Sequence, residues 1–398
     1  MKGRRYYANE RNEEFSVVFL GSYDKGKPRV RNLLEGAFSS GLEVIECNAD
    51  IWSDVVDKAQ LATPGLRLLY LLKWLISRPK LIVNYCRIPR HKAVIFPYPG
   101  ILDALLFYPF TRARRVWTVL DGFISPYDTV VNDRKLVSPT HPIAKVIYHI
   151  EALAVKSVDT VVLDTPVHAR YFEKLFNLPL NSVESIPVGV EQEVFKRAAY
   201  HPWRGDKRLE VLFFGQFIPL QGTSTILDAI RLSDECSSLK PNWTIIGQGQ
   251  ESKEFDRRLI EYKLGSVKRI KWVSYDQLPR YIASADICLG IFGKSDKALN
   301  VIPNKVYQIL AVGRPLLTAK TPGMLSLSQS SPAIELVKPG DPLAIVQGLE
   351  KLAHRIVHNP GEVQNNIAWM PIIDSRKVGA ELERVLRSVS RDKKCNSN

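Results

Sequence analysis

Short apolar runs bounded by glycine, proline and polar clusters recur along this chain, and between them lie segments whose apolar residues return every three to four positions. In the first half, residues 15–20, 42–47, 92–97, 115–120 and 159–165 read as strands, with helices over 32–40 and 143–158. The second half repeats the alternation. Residues 209–214, 243–246, 286–292 and 315–318 read as strands, with helices starting near Thr223, over 303–313 and over 343–356, and a last helix at 380–389. Strand and helix in strict alternation predict doubly wound α/β architecture. A chain of 398 residues is long for one core, so two domains are expected, joined by the polar stretch 196–207.

The most informative stretch is 301–315. Pro303 suits a first helical position and Gly313 the left-handed residue that ends a helix. Val306, Ile309 and Leu310 share an apolar face, while Asn304 and Gln308, four apart, share another. Lys305 lies in the first turn, where the helix dipole disfavours a cation unless an anion docks beside it. Two readings stand: a lysine extending into water, and a lysine that meets a bound anion. The flanking strands make this a β-loop-α-β unit, and its loop, 293–302, would lie beyond the carboxyl end of a strand, where open parallel sheets bind ligands.

Other candidates sit in equivalent places. The glycine-containing loop 21–29, with Gly21 and Arg29, follows the first strand. Asp121, Asp128 and Arg134 follow another, where a carboxylate can orient a hydroxyl or stabilise developing positive charge, or simply make turns. Gly215-x6-Gly222 leads from a strand into a helix, a place for phosphate on backbone N–H groups, and Gly247-x-Gly249 ends the next strand. His149 reads as structural. His354 and His358, four apart, have no third ligand nearby and read as an exposed face.

Composition narrows the classes. Five cysteines without a Cys-x-x-Cys pair argue against a zinc site or disulfide framework and fit a reducing compartment. The basic start leads into polar residues 9–14, so no signal peptide is expected. The formal charge is +14, and residues 51–120 hold eleven basic residues against three acidic ones. Within that segment, the Leu-rich stretch 66–76 with Trp74 is too short to span a bilayer. It fits either a surface helix packing its apolar side inward or an interfacial helix on anionic lipid. No RNA-binding or zinc-finger signature accompanies the charge, so nucleic acid is not expected as a partner.

At 301–315 the chain resembles the second domain of GT-B glycosyltransferases of the large family 4, in which a strand, a loop, a helix and an Ala-x-Gly-x-Pro stretch (311–315 here) hold a nucleotide-sugar. The family's paired glutamates fall at Asn300 and Gln308, the arginine and lysine that grip the donor diphosphate at Gln216 and Gln221, and the histidine of its His-Asp pair at Leu120. The resemblance implies an α/β GT-B fold, two doubly wound Rossmann-like domains facing across a cleft. Residues 1–200 would form the acceptor side and 201–369 the nucleotide-sugar side, with the helix at about 370–398 packing back on the first. It implies transfer of a sugar from a UDP- or GDP-sugar donor to a glycan or lipid-linked hydroxyl, with retention. No metal and no cofactor are expected, there being no Asp-x-Asp pair. Gly215, Gln216, Gln221, Gly222, Gly247, Gly249, Tyr275, Asn304, Lys305 and Gln308 would hold the donor. Gly21, Arg29, Asp128 and Arg134 would meet the acceptor, and Asp121 and Lys305 would act in catalysis. The expected location is cytoplasmic, peripheral on the inner face of a membrane met through residues 51–120. Neutral residues at charged family positions also fit a catalytically degenerate scaffold that binds a partner or a membrane.

Overall fold

The computed structural model describes residues 5–6, 15–52, 64–325, 327, 331–369 and 373–395. It divides into two compact units: residues 1–131, 137–189 and 373–398 in the first, and 132–136 with 190–372 in the second. The division falls ahead of the polar stretch at 196–207 because Tyr200 and Trp203 are buried in the second unit's core.

In the first unit the strands are β1 (Arg5–Tyr6), β2 (Ser16–Gly21), β3 (Glu43–Asn48), β4 (Ala93–Phe96), β5 (Trp117–Asp121), β6 (Thr160–Leu163) and β7 (Val183–Ser185). Their order is β1-β3-β2-β4-β5-β6-β7, parallel except for β1 against β3. The helices are α1 (Pro28–Ser39), α2 (Pro64–Cys86), α3 (Ile101–Arg114), α4 (Pro142–Ser157) and α5 (Pro166–Phe176). Only the β2-to-β3 connection runs toward the β1 edge, so right-handed crossovers place α1 on one face and α2 to α5 on the other. The alternation of side chains obeys this. Val17 and Phe19 pack with α1 and the last helix, Ser375–Cys395, whereas Val18 and Leu20 pack with Leu81, Phe107 and Phe172 from the opposite helices. α1 begins at Pro28, four residues before the helix expected from apolar spacing, because proline occupies its first turn without losing a bond.

The second unit holds β8 (Glu210–Phe214), β9 (Asn242–Ile246), β10 (Val267–Ile270), β11 (Ile287–Leu289), β12 (Leu316–Ala319) and β13 (Ile334–Val337), all parallel in the order β10-β9-β8-β11-β12-β13. Its helices are α6 (Thr223–Cys236), α7 (Ser252–Glu261), α8 (Leu278–Ser284), α9 (Asp296–Asn300), α10 (Asn304–Val312), α11 (Pro322–Leu325), α12 (Pro342–His358) and α13 (Pro360–Trp369). Connections leave β8 and β11 toward opposite edges, so the switch point lies between them, and a crevice opens beyond their carboxyl ends. Gly313 ends α10 with φ 83° as its position predicts, whereas Pro303 is the residue before the helix rather than its first. Asp341 caps α12 by accepting from the Ala344 N–H. Burial pushes the Cys47 and Cys288 thiols up to about 12, so neither is poised as a nucleophile.

Candidate active site

The switch point of the second unit gathers most of the residues that the sequence singles out there. β8 runs into Gly215, whose φ of 154° disfavours a side chain. A Cβ at that position would lie 3.0 Å from Lys305 Nζ and 3.1 Å from Gln221 Oε1, so the missing side chain leaves room for both polar groups. Gly247 is as constrained from the neighbouring strand: a Cβ there would stand 1.8 Å from the Gly215 carbonyl oxygen. The turns after β8 and β9 are thus in backbone contact, and Gly249 continues it against the Phe217 carbonyl.

Lys305 enters from the other strand of the switch point. Placed in the first turn of α10, it is only 5% exposed, donates to the Gly290 carbonyl at 3.3 Å and lies 3.8 Å from the ring centre of Phe213. Among the described residues no carboxylate forms an ion pair with it. Burial holds its ammonium well below the ordinary lysine range, because a charge in this place has given up water for one carbonyl and an aromatic face.

Two side-chain acceptors nearby, Gln221 Oε1 and Asn304 Oδ1, are buried without a hydrogen-bond partner among the described residues. Such groups cost free energy unless a partner arrives, and half a turn of either amide presents a donor instead. α6 and α10 both start without a capping side chain, which leaves their first N–H groups available. Gly222 is required at the start of α6, since a Cβ would stand 2.7 Å from the Phe292 carbonyl carbon. Gln308, one turn along α10, donates to the Tyr275 hydroxyl at 3.3 Å, and that hydroxyl donates to Glu191. Phe195 packs edge-on against the same tyrosine. Gln216 is exposed.

The first unit presents two buried ion pairs at the carboxyl ends of its strands. Arg29 donates through Nε and Nη2 to Asp121 (3.1 and 3.0 Å) and through Nη1 to the Ile186 and Pro187 carbonyls (2.6 and 3.1 Å). Neither member exceeds 2% exposure, so the pair joins β5, α1 and the segment after β7. Beside Gly21, Asp103 accepts from the Ser22 N–H and Oγ (2.8 and 2.9 Å) and pairs with Arg78 of α2. Burial raises the Asp103 carboxyl and lowers the Arg78 guanidinium. Asp128 accepts from the Tyr171 hydroxyl at 2.8 Å, and Asp164 pairs with buried His168 at 2.6 Å. Arg134 belongs to the second unit, where its carbonyl accepts from Gln250.

Residues 208–355 match the family model described as Glycosyl transferases group 1. A curated relative, the putative teichuronic acid biosynthesis glycosyltransferase TuaH of Bacillus subtilis (strain 168), is 23% identical over 215 residues, 52% of this chain and 52% of that protein. The match therefore spans about half the length of that relative. Two solved structures are similar over nearly the whole chain. Sucrose-phosphate synthase from Thermosynechococcus elongatus aligns with 95% of this chain and 100% of its own at 12% identity and a TM-score of 0.68. HepE from Anabaena, solved with UDP, aligns with 94% and 100% at 13% identity and a TM-score of 0.61. The chain has the GT-B fold, and its second unit is similar to the group 1 glycosyl transferases.

Within this GT-B chain, the glycines 215 and 247 and the side chains of Gln221 and Lys305 meet at one switch point, with Gly222 and Asn304 at the adjoining helix starts and Gln308 of α10 bonded to Tyr275 ahead of α8. Arg29 and Asp121 are held together as a buried ion pair. Sequence reasoning missed Glu191, Phe213, Ser22, Asp103 and the Asp164–His168 pair. Asp103 left a usable signal, being the sole acid between residues 64 and 120. The rest left none, since their roles depend on which strand ends the topology brings together.

Proposed function

We propose that this protein is a family 4 type glycosyltransferase that moves a sugar from a nucleotide-sugar to a hydroxyl of a glycan or lipid-linked acceptor, with retention and without a metal, in polysaccharide or glycolipid synthesis. The carrying observation is Lys305: a buried lysine set at the switch point which, among the described residues, has no carboxylate partner, near the side-chain oxygens Gln221 Oε1 and Asn304 Oδ1, which lack a hydrogen-bond partner there. A diphosphate supplies what that site lacks. Its negative charge restores a partner to Lys305, and the free N–H groups at the starts of α6 and α10 add to it. As the bond to the sugar breaks, negative charge grows on the leaving diphosphate, and fixed donors aimed there lower the barrier. Tyr275, braced by Gln308 and Glu191, would flank the nucleoside, Gly249 would let the backbone approach it, and Gln216 would reach the donor from outside. On the first unit Gly21 and Asp128 would face the acceptor, Asp121 held by Arg29 would stabilise positive charge on the sugar ring, and Arg134 would reach substrate from its own loop. We place the protein in the cytoplasm, at the inner face of a membrane. The match to group 1 glycosyl transferases supports the donor class, and the UDP and UDP-glucose in the HepE structures support the uridine form of it.

The amides at Gln216, Gln221 and Gln308 favour a second reading, a scaffold that has lost its donor. Thermal unfolding against UDP, GDP and their sugars separates the two. Saturation at 100 times Kd adds about 2.7 kcal/mol to stability, so a base-selective rise in Tm is expected of the transferase. No rise at millimolar concentrations would leave the scaffold.

A further inference from the structure

The first unit carries a surface that its core does not account for. α2, α3 and α4 share one face of the sheet. Tyr85 of α2 meets Phe107 of α3 edge-on, Arg78 pairs with Asp103, and α3 packs against α4. Toward the sheet α2 sends Arg78, Leu81 and Tyr85. Its opposite arc, at spacings of three and four, is apolar and open to solvent: Leu68, Leu72, Leu75 and Val83 are 45–57% exposed and Ile76 is 77% exposed. α4 does the same with Ile143, Val146, Ile150 and Leu153. Single exposed leucines are ordinary, whereas exposed apolar faces on two helices of one layer mark a binding surface.

Charge identifies what that surface fits. Between residues 64 and 158 every carboxylate is buried: Asp103, Asp121, Asp128, Asp133 and Glu151. Over the same span Lys80, Arg87, Arg90, Arg112, Lys145 and Lys156 are exposed. An apolar face fringed by cations and free of surface carboxylates, among the described residues, complements a partner that is apolar inside and anionic at its boundary. Among the described residues no helix is long and apolar enough to cross a membrane. The face can therefore only lie on one.

We propose that the outer face of α2, α3 and α4 seats the first unit on an anionic lipid bilayer, with the α2 leucines entering the boundary between headgroups and acyl chains and the lysines and arginines meeting lipid phosphates. This deepens the transferase reading, whose lipid-linked acceptor is presented at such a surface, yet it stands on different observations. The test is flotation of the full chain with vesicles of phosphatidylcholine alone or with phosphatidylglycerol added. Anionic vesicles are expected to carry the protein and neutral ones to carry much less. Leu75→Glu with Ile76→Glu should weaken partition about tenfold or more, and Lys80→Glu by a smaller factor that vanishes at high salt. Both variants keep the wild-type Tm, since these side chains already face water. Equal flotation of wild type and the double variant would overturn the proposal, and so would a dimer that the double variant converts to monomer without any vesicle binding. The nucleotide shift measured on the same samples keeps the two readings apart, because flotation without a shift removes the donor site and leaves the membrane face standing.

Discussion

Lys305 is buried at a cost that only a ligand recovers, and this makes its removal a two-sided experiment. Lys305→Met keeps an unbranched apolar stem, one atom shorter, while deleting the charge and the Nζ contact with the Phe213 ring. The free protein should hold or gain stability by about 1–4 kcal/mol, as buried ions replaced by apolar groups do. Affinity for a nucleoside diphosphate should fall by about 1.5–3 kcal/mol, the worth of a charged hydrogen bond. Urea unfolding with and without UDP reads both, and parallel losses would remove Lys305 from the site. A second expectation concerns protons. With the folded-state value lowered, the unfolded chain binds more protons between that value and the ordinary lysine range, so stability rises with pH across that window. An anion favours the charged form, so diphosphate binding should take up a proton and weaken as pH rises through the same window. Calorimetry in buffers of differing ionisation enthalpy measures that uptake, which Lys305→Met should abolish. The sequence made Lys305 conspicuous through its place in a helix start. It could not show Gly215 making room for it, since that meeting depends on β8 lying beside β11.

At the scale of elements, apolar period and turn residues were enough to locate most strands to within two residues, because each is buried on both faces and interrupted only by its turns. Helix starts were less legible where proline and charged residues fill the first turn. α1 begins at Pro28, and Arg29 therefore stands on a helix and reaches Asp121 instead of lying in a loop. Which way α2 faces was open as well, since its apolar residues cover more than half the helix and both orientations bury some of them. Helix contacts at glycine were invisible in advance. A Cβ on Gly379 would stand 2.0 Å from the Gly36 carbonyl oxygen, so α1 and the last helix approach backbone to backbone. Gly379→Ala should force them apart and cost about 1–3 kcal/mol in chemical unfolding, as overpacking does. Gly41→Ala, at a positive φ with nothing near it, tests backbone strain alone.

Over the whole molecule, two units with separate cores predict two unfolding transitions rather than one. If the donor binds at the β8–β11 switch point, UDP should raise the transition of the second unit by about 2.7 kcal/mol at 100 times Kd and leave the other where it was. Differential scanning calorimetry with and without UDP shows this, and a ligand that moves only the other transition would place the donor elsewhere. Strict alternation of strand and helix made the double winding legible, whereas the strand order of each sheet was not, since right-handed crossovers fix the face of each helix only once that order is known. The membership of the last helix was implied by the family resemblance alone and not by apolar spacing, because an amphipathic helix fits any apolar groove of suitable length. That helix fills the first unit's core with Val378, Leu382, Val385 and Leu386. On the ribosome, the first sheet is complete at Ser185, long before the helix that begins at Ser375 and joins α1 over one of its faces. The second unit, nearly continuous in the chain, can finish folding in that interval, while the earlier-made half waits with an open hydrophobic wall for chaperones to shield.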